Sequence, residues 1–301
     1  MSLRNAAVSM IMMLFVAFGV MKGFMYYSAK EKIDELIHPM KSFLNVEYQG
    51  ISTSLMGSIG IKGLRLTSFN GDEILSFGRV TLSSFEKADN EKIPSNLSIL
   101  LDDVQFDARH LNEVTNNEIP NFVRELGYGE LYKFSNNLEK LGYDKITADI
   151  IFEFSYKKEL GGVKLRLREN IVELGELDIF LDVIGFVPGM HAMGADLKIK
   201  KISLMFDDDS YTNRILKRFA DKDNKAVNEY RIEIAQQLKK FLAQNKIMLD
   251  DSDINALKKF INKPKKLIVK IHPAEPVSVE NLKFYKREDI PKILNLNIST
   301  E

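Results

Sequence analysis

The sequence predicts an α+β protein: one N-terminal transmembrane helix, then antiparallel β-sheet covered by amphipathic helices. Three observations carry that reading. Residues Ala6 to Met21 read AAVSMIMMLFVAFGVM without a charge, whereas the chain after Lys30 is mixed and polar. From about residue 59 to 206, apolar residues recur at every second position, the period of a strand that hides one face. Between about 210 and 262 they recur three and four apart, the period of an amphipathic helix.

The leading run is slightly short by itself, because a bilayer core about 30 Å thick needs roughly 20 residues of helix. Snorkelling of Lys22 extends it through Gly23, Phe24 and Met25 to Tyr26-Tyr27, a pair suited to the headgroup belt. A membrane anchor is therefore expected within residues 1–28. The same start, MSLRN followed by apolar residues, also fits a cleavable signal peptide, with Ala17-Phe18-Gly19 as the nearest small-x-small site. The flanking charges do not decide orientation, since long domains translocate largely regardless of them.

Two regions are expected after the anchor: a strand-rich one with helices at 29–142, and a second α+β region at 143–301. Gly142 marks the boundary, and one continuous domain is the alternative. A short helix from Ala29 to Leu44 carries Ile33, Leu36, Ile37, Met40 and Phe43 on one stripe. A strand holds Ile59, Ile61, Leu64 and Leu66, with a phase slip at Gly63, where glycine permits a bulge. Phe69-Asn70-Gly71-Asp72 turns this strand into a hairpin with 73–83, and Leu97 to Phe106 follow as another strand. Residues 110–142 read as two helices separated by Gly127 and Gly129.

The clearest strand is Ile146, Ala148, Ile150, Phe152, Phe154 and Tyr156. Gly161-Gly162 turns it into Val163, Leu165 and Leu167, after which Leu177–Val183 and Leu197–Phe206 repeat the alternation. Helices are expected at 210–221, 224–246 and Ser252–Asn262, the last stopping before Pro264. Leu267, Val269 and Ile271 form a strand, and His272-Pro273 through Pro276 make a stiff link into Val277–Phe284.

Composition excludes several functions. Forty-two basic residues balance forty-two acidic ones, so no global field attracts nucleic acid. The absence of cysteine removes disulfides, thiolate chemistry and cysteine-based metal sites. His38, His110, His191 and His272 lack ligand partners at metal-site spacing. There is no P-loop, dinucleotide fingerprint or nucleophile elbow, so no cofactor, metal or catalytic residue is expected and the chain is read as a binder, not an enzyme. Asp207-Asp208-Asp209-Ser210 and Asp250 to Asp253 read as helix caps. Lys258, Lys259, Lys263, Lys265, Lys266 and Lys270 form a basic concentration, read as a solvated helix end and strand start or as a contact for anionic headgroups.

Two segments, ISTSLMGSIGIKGLRLTSFNGDEILSFGRVTLSSFE at 51–86 and GELDIFLDVIGF at 175–186, follow a glycine-punctuated strand pattern. Together with the anchor and the short helix, this resembles the AsmA-like inner-membrane-anchored periplasmic proteins of Gram-negative bacteria. The resemblance implies a single-pass inner-membrane protein with its bulk in the periplasm, and a curved sheet whose apolar groove handles lipid. The helix-rich stretch at 210–262 departs from that pattern. The residues expected to line a groove for lipid or another amphiphile are Ile146, Ile150, Phe152, Phe154, Leu165, Leu177, Ile179 and Leu181. The alternative is a structural or interaction subunit of an envelope or secretion complex, favoured if the 210–262 helices cover the sheet completely.

Overall fold

The structure, a computed structural model, describes residues 44–54, 58–86, 93–107, 138–188 and 196–301, with scattered positions between 29 and 42. The expected anchor, most of the helical pair expected at 110–142, His110 and His191 lie outside the described residues.

Alternation produces one large curved antiparallel sheet. Its strands are β1 (Asn45–Glu47), β2 (Gly50–Thr53), β3 (Ile59–Thr67), β4 (Glu73–Glu86), β5 (Asn96–Asp107), β6 (Lys145–Lys157), β7 (Gly162–Ile171), β8 (Gly175–Ile184), β9 (Lys198–Asp208), β10 (Lys266–Ile271), β11 (Val277–Ser278) and β12 (Leu296–Thr300). From β3 to β10 each strand lies beside its neighbour in sequence; β1 and β2 share the outer side of β3, β11 pairs with β9, and β12 pairs with β10. β5 and β6 pair from Asn96↔Ser155 to Asp107↔Lys145. The sheet therefore runs without a break past Gly142.

The slip expected at Gly63 is shared by three strands. Gly63 has φ +59° and Asp103 has φ +51°, and Gly78 lies between them, where a Cβ would stand 2.9 Å from that of Asp103. Ile61 pairs with Val80 and Val80 with Leu101 on one side of the slip; Leu64 pairs with Phe77 and Phe77 with Val104 on the other. On β6 their partners Ile150 and Ala148 are two residues apart and share a face. The aligned slip thus keeps residues three apart on a single apolar face. The Asp103 amide donates to Asp149 Oδ1 at 2.8 Å, which secures the bulge.

The C-terminal third carries four α-helices: α1 (Tyr211–Lys222), α2 (Val227–Gln244), α3 (Asp251–Asn262) and α4 (Ile290–Ile293). α3 packs on β10 and β12, α2 on α3, and α1 on α2 and on the 3-10 helix Leu138–Leu141. Phe260 of α3 meets Phe206 of β9 edge to face with centroids 6.4 Å apart, and Phe219 stacks on Tyr230 to tie α1 to α2. Below β6 a closed core gathers Leu141, Tyr143, Ile146 and Leu174, with Phe106, Ile171, Tyr211 and Ile215 against it.

Two expected elements are shorter than their periodicity. The helix expected over 29–44 keeps Ala29, Ile33 and Ile37 buried, but its helical residues end at Ile37, with a turn at His38 and a 3-10 helix at Met40–Ser42. The residue before Pro39 is pushed out of the α region, which stops the helix there. The segment that follows the stiff link, Val277–Phe284, keeps only the two residues of β11 extended, and Glu280–Phe284 coil into a 3-10 helix that leaves Val279 and Phe284 exposed.

Candidate functional site

Cross-strand register builds the candidate surface. One row runs Phe154, Leu165, Leu181, Ile202; the next runs Phe152, Leu167, Ile179, Leu204; the third runs Ile150, Glu169, Leu177, Phe206. Seven of the eight residues expected to line a groove therefore share one face across β6, β7 and β8. Leu97, Ile99 and Leu101 continue the face on β5. These side chains are half-buried; α3 lies over β10 and β12 with α2 on it, while α1 covers the end of the face at Ile146 and Ile171.

Ile146 stands apart from the other seven. It is 1 % exposed and sealed between Leu141, Tyr143 and Leu174, so it belongs to the closed core. Its seal comes from the 3-10 helix and from α1, about seventy positions further along the chain. Alternation along β6 carries no trace of that packing.

Glu169 is the residue the expected groove omitted. Val163, Leu165, Leu167, Glu169 and Ile171 all point to the same side of β7, with Ile150 and Leu177 directly across from Glu169. Burial pushes its carboxyl above the usual glutamate range, and no neighbouring charge contributes. Extending the alternation two residues past Leu167 would have found it.

The opposite face of the same strands is charged. Arg166 grips Asp178 with two nearly parallel bonds, Nε to Oδ1 at 3.0 Å and Nη2 to Oδ2 at 2.6 Å. Arg168 reaches Glu153 at 3.4 Å, and Lys164 lies opposite Asp182. A depression of about 370 Å³ opens there beside Ser84, Ser98, Glu153, Arg166 and Phe180. Cross-strand pairs of this kind fix register.

The remaining polar clusters fasten elements together. Arg214 of α1 lies 4.0 Å over the Tyr143 ring, donates to the Leu141 and Gly142 carbonyls, and pairs with Glu173 at 3.0 Å. Ser210 joins the Tyr143 hydroxyl to the Glu173 carbonyl, and burial raises the Tyr143 pKa despite Ser210 and Arg214. Asp208 caps α1 as expected, accepting the Thr212 amide at 2.7 Å; burial nevertheless pushes its carboxyl up, and its Oδ2 is unpartnered.

Asp253 is not a cap. It is 3 % exposed and accepts the Ile298 amide at 2.7 Å, pinning the edge strand β12 to α3. His272 follows the end of β10, where its carbonyl accepts from Asn295. Of the lysine concentration, Lys266 pairs with Asp207 at 3.7 Å, while Lys259, Lys263, Lys265 and Lys270 are exposed.

Residues 145–301, more than half of the chain, match the model of a family described as uncharacterized protein. The chain belongs to that family. Its matched segment opens on the first residue of β6 and contains β7, β8 and Glu169. No curated protein matches the chain. Among the described residues no helix is long and apolar enough to cross a membrane, and no group of three or more His, Cys, Asp or Glu side chains is placed to hold a metal ion.

Proposed function

We propose that this protein is a single-pass, inner-membrane-anchored periplasmic protein of the cell envelope. In this reading it resembles the AsmA-like group and binds lipid or another amphiphile on its sheet without catalysing a reaction. The observation that carries the reading is the apolar face of β5 to β8, half-buried rows of Leu, Ile and Phe away from the helical cover. Each methylene taken from water onto such a surface contributes about 0.8 kcal/mol, so an acyl chain is held without any reacting group. The uncharged run at residues 6–21 supports attachment to the bilayer that supplies such a ligand.

The test is native mass spectrometry of the full chain extracted from its own membranes, with lipid analysis of the released ligand. Co-purifying amphiphile is expected; a chain free of lipid would sink the reading. A reporter fused to the C-terminus should signal from the periplasmic side, and a cytoplasmic signal would remove the proposed address.

A second reading, a structural or interaction subunit of an envelope or secretion complex, is favoured by one end of the sheet. Of the ten exposed large hydrophobic residues among the described residues, six lie there: Phe85, Leu160, Val187, Val279, Phe284 and Tyr285. The Gly185 amide bonds to the Leu160 carbonyl and the Val279 amide to that of Leu197, which places these tips on neighbouring turns. Gathered exposed apolar residues mark interaction surfaces. Crosslinking and pull-down should recover one stoichiometric protein, lost when Phe284 and Tyr285 are both changed to Ser; recovery of none would remove this reading.

A further inference from the structure

Glu169 is the only charged side chain in the three rows that cross the middle of the sheet. Ile150 and Leu177 face it across the strands, and Leu167 and Ile171 flank it along β7. The other charged groups of these strands, Lys145, Asp149, Glu153 and Lys157 on β6, Lys164, Arg166 and Arg168 on β7, Glu176, Asp178 and Asp182 on β8, alternate onto the opposite face, and Tyr156 is the one further titratable group of β6 to β8 on the Glu169 side. α1 meets this face one row along, where Tyr211 and Ile215 pack with Ile171 against the closed core, but its Arg214 is taken up by Tyr143, Glu173 and the Leu141 and Gly142 carbonyls. Asp208, on that same row, accepts the Thr212 amide, and burial alone moves the Glu169 carboxyl, with no neighbouring charge contributing. A carboxylate left without a counter-charge among aliphatic groups is costly in an empty site, and its strand neighbours gain nothing from it.

We infer that Glu169 selects the ligand: the apolar face takes a single-chain amphiphile carrying a cationic amine, the alkyl chain lying along Phe152, Leu165, Ile179 and Leu181 and the ammonium meeting the Glu169 carboxylate. The inference rests on the amphiphile-binding reading and adds the headgroup. An ammonium supplies the missing counter-charge and hydrogen-bond donors together. An anionic headgroup such as a carboxylate meets like charge, and an alcohol donates without neutralising. The raised carboxyl value fits an empty site, and an arriving cation must lower it, so binding near that value releases a proton.

The experiment uses the full chain with dodecylamine, dodecanol and dodecanoate, each below its micellar or solubility limit, compared by calorimetry. Dodecylamine is expected to bind the wild type about tenfold more tightly than dodecanol, a step of about 1.4 kcal/mol, and dodecanoate more weakly still. Glu169→Gln should abolish the amine preference, and Glu169→Leu should reverse it in favour of dodecanol. Over a series of pH values rising from the ordinary glutamate range, repeating the titration in buffers of different ionisation enthalpy should reveal proton release with dodecylamine in the wild type and none in Glu169→Gln. Melting curves that match the wild type or exceed it establish that both variants are folded. An amine preference that survives in Glu169→Gln, or tighter binding of dodecanoate, overturns the selection while leaving amphiphile binding intact. If none of the three probes binds, the selection and the amphiphile reading fall together.

Discussion

Arg214 is held by groups from separate stretches of chain: the Tyr143 ring, the Leu141 and Gly142 carbonyls, and Glu173. Arg214→Ala is expected to cost about 2–3 kcal/mol in urea unfolding, because a cation over an aromatic ring and an ion pair disappear together. Arg214→Lys should restore less than half of that, since an ammonium lacks the planar fork. Asp253→Ala should cost a similar amount, about 2–3 kcal/mol, because the Ile298 amide is left buried without an acceptor. Glu169 gives a pH signature. Its folded-state value is raised by burial, so its contribution to stability is complete below the ordinary glutamate range and is lost as pH rises through the raised value. Glu169→Gln should accordingly be more stable than the wild type near neutrality, with an advantage that shrinks as pH falls through that value, as read by unfolding curves at a series of pH values. Of these residues, alternation alone marks Glu169, as a charge at an apolar position. The Arg214 cluster joins residues about seventy apart, and Asp253 joins residues forty-five apart; nothing in either local sequence announces the partner.

The strands were far more legible than the side-chain clusters, because period-two alternation is written along the chain itself. Ile146 to Tyr156, Val163 to Leu167 and Leu177 to Val183 became β6, β7 and β8, and Asn70-Gly71 turned β3 into β4. Gly63 betrayed the slip through its break in phase, but its alignment with Gly78 and Asp103 needs three registers at once. Gly63→Ala is expected to cost about 1–2 kcal/mol, since its φ of +59° is strained for a side chain. Gly175 is less forgiving: at φ +138° a Cβ would stand inside the contact radius of the Asp207 carbonyl oxygen on β9. Gly175→Ala should therefore lose more than about 3 kcal/mol or fail to fold, checked by circular dichroism and soluble yield. Where tertiary packing overrides pattern, sequence was mute. Val277 and Val279 start an alternation that breaks phase before Leu282, and the chain coils after two strand residues, because only Val277 and Ser278 find partners on β9.

The sheet joins both halves of the chain, and the family match begins on a strand in its interior. A fragment of residues 143–301 would bare the edge of β6 along the ten positions that β5 pairs. Such an edge recruits other strands, so the fragment is expected to elute as dimers or aggregates in size-exclusion chromatography, in contrast to the full chain; a monodisperse monomer would refute this. The arrangement of β3 to β9 also bears on biosynthesis. Each ribbon docks on the one that left the ribosome just before it, so ladder formation can keep pace with translation and no early strand waits long for a distant mate. After the helices β10 and β11 return to β9, and β12, the strand that Asp253 clasps, closes on β10 last. The last five residues of the ladder thus act as the fastener that closes an assembly otherwise zipped in order of synthesis.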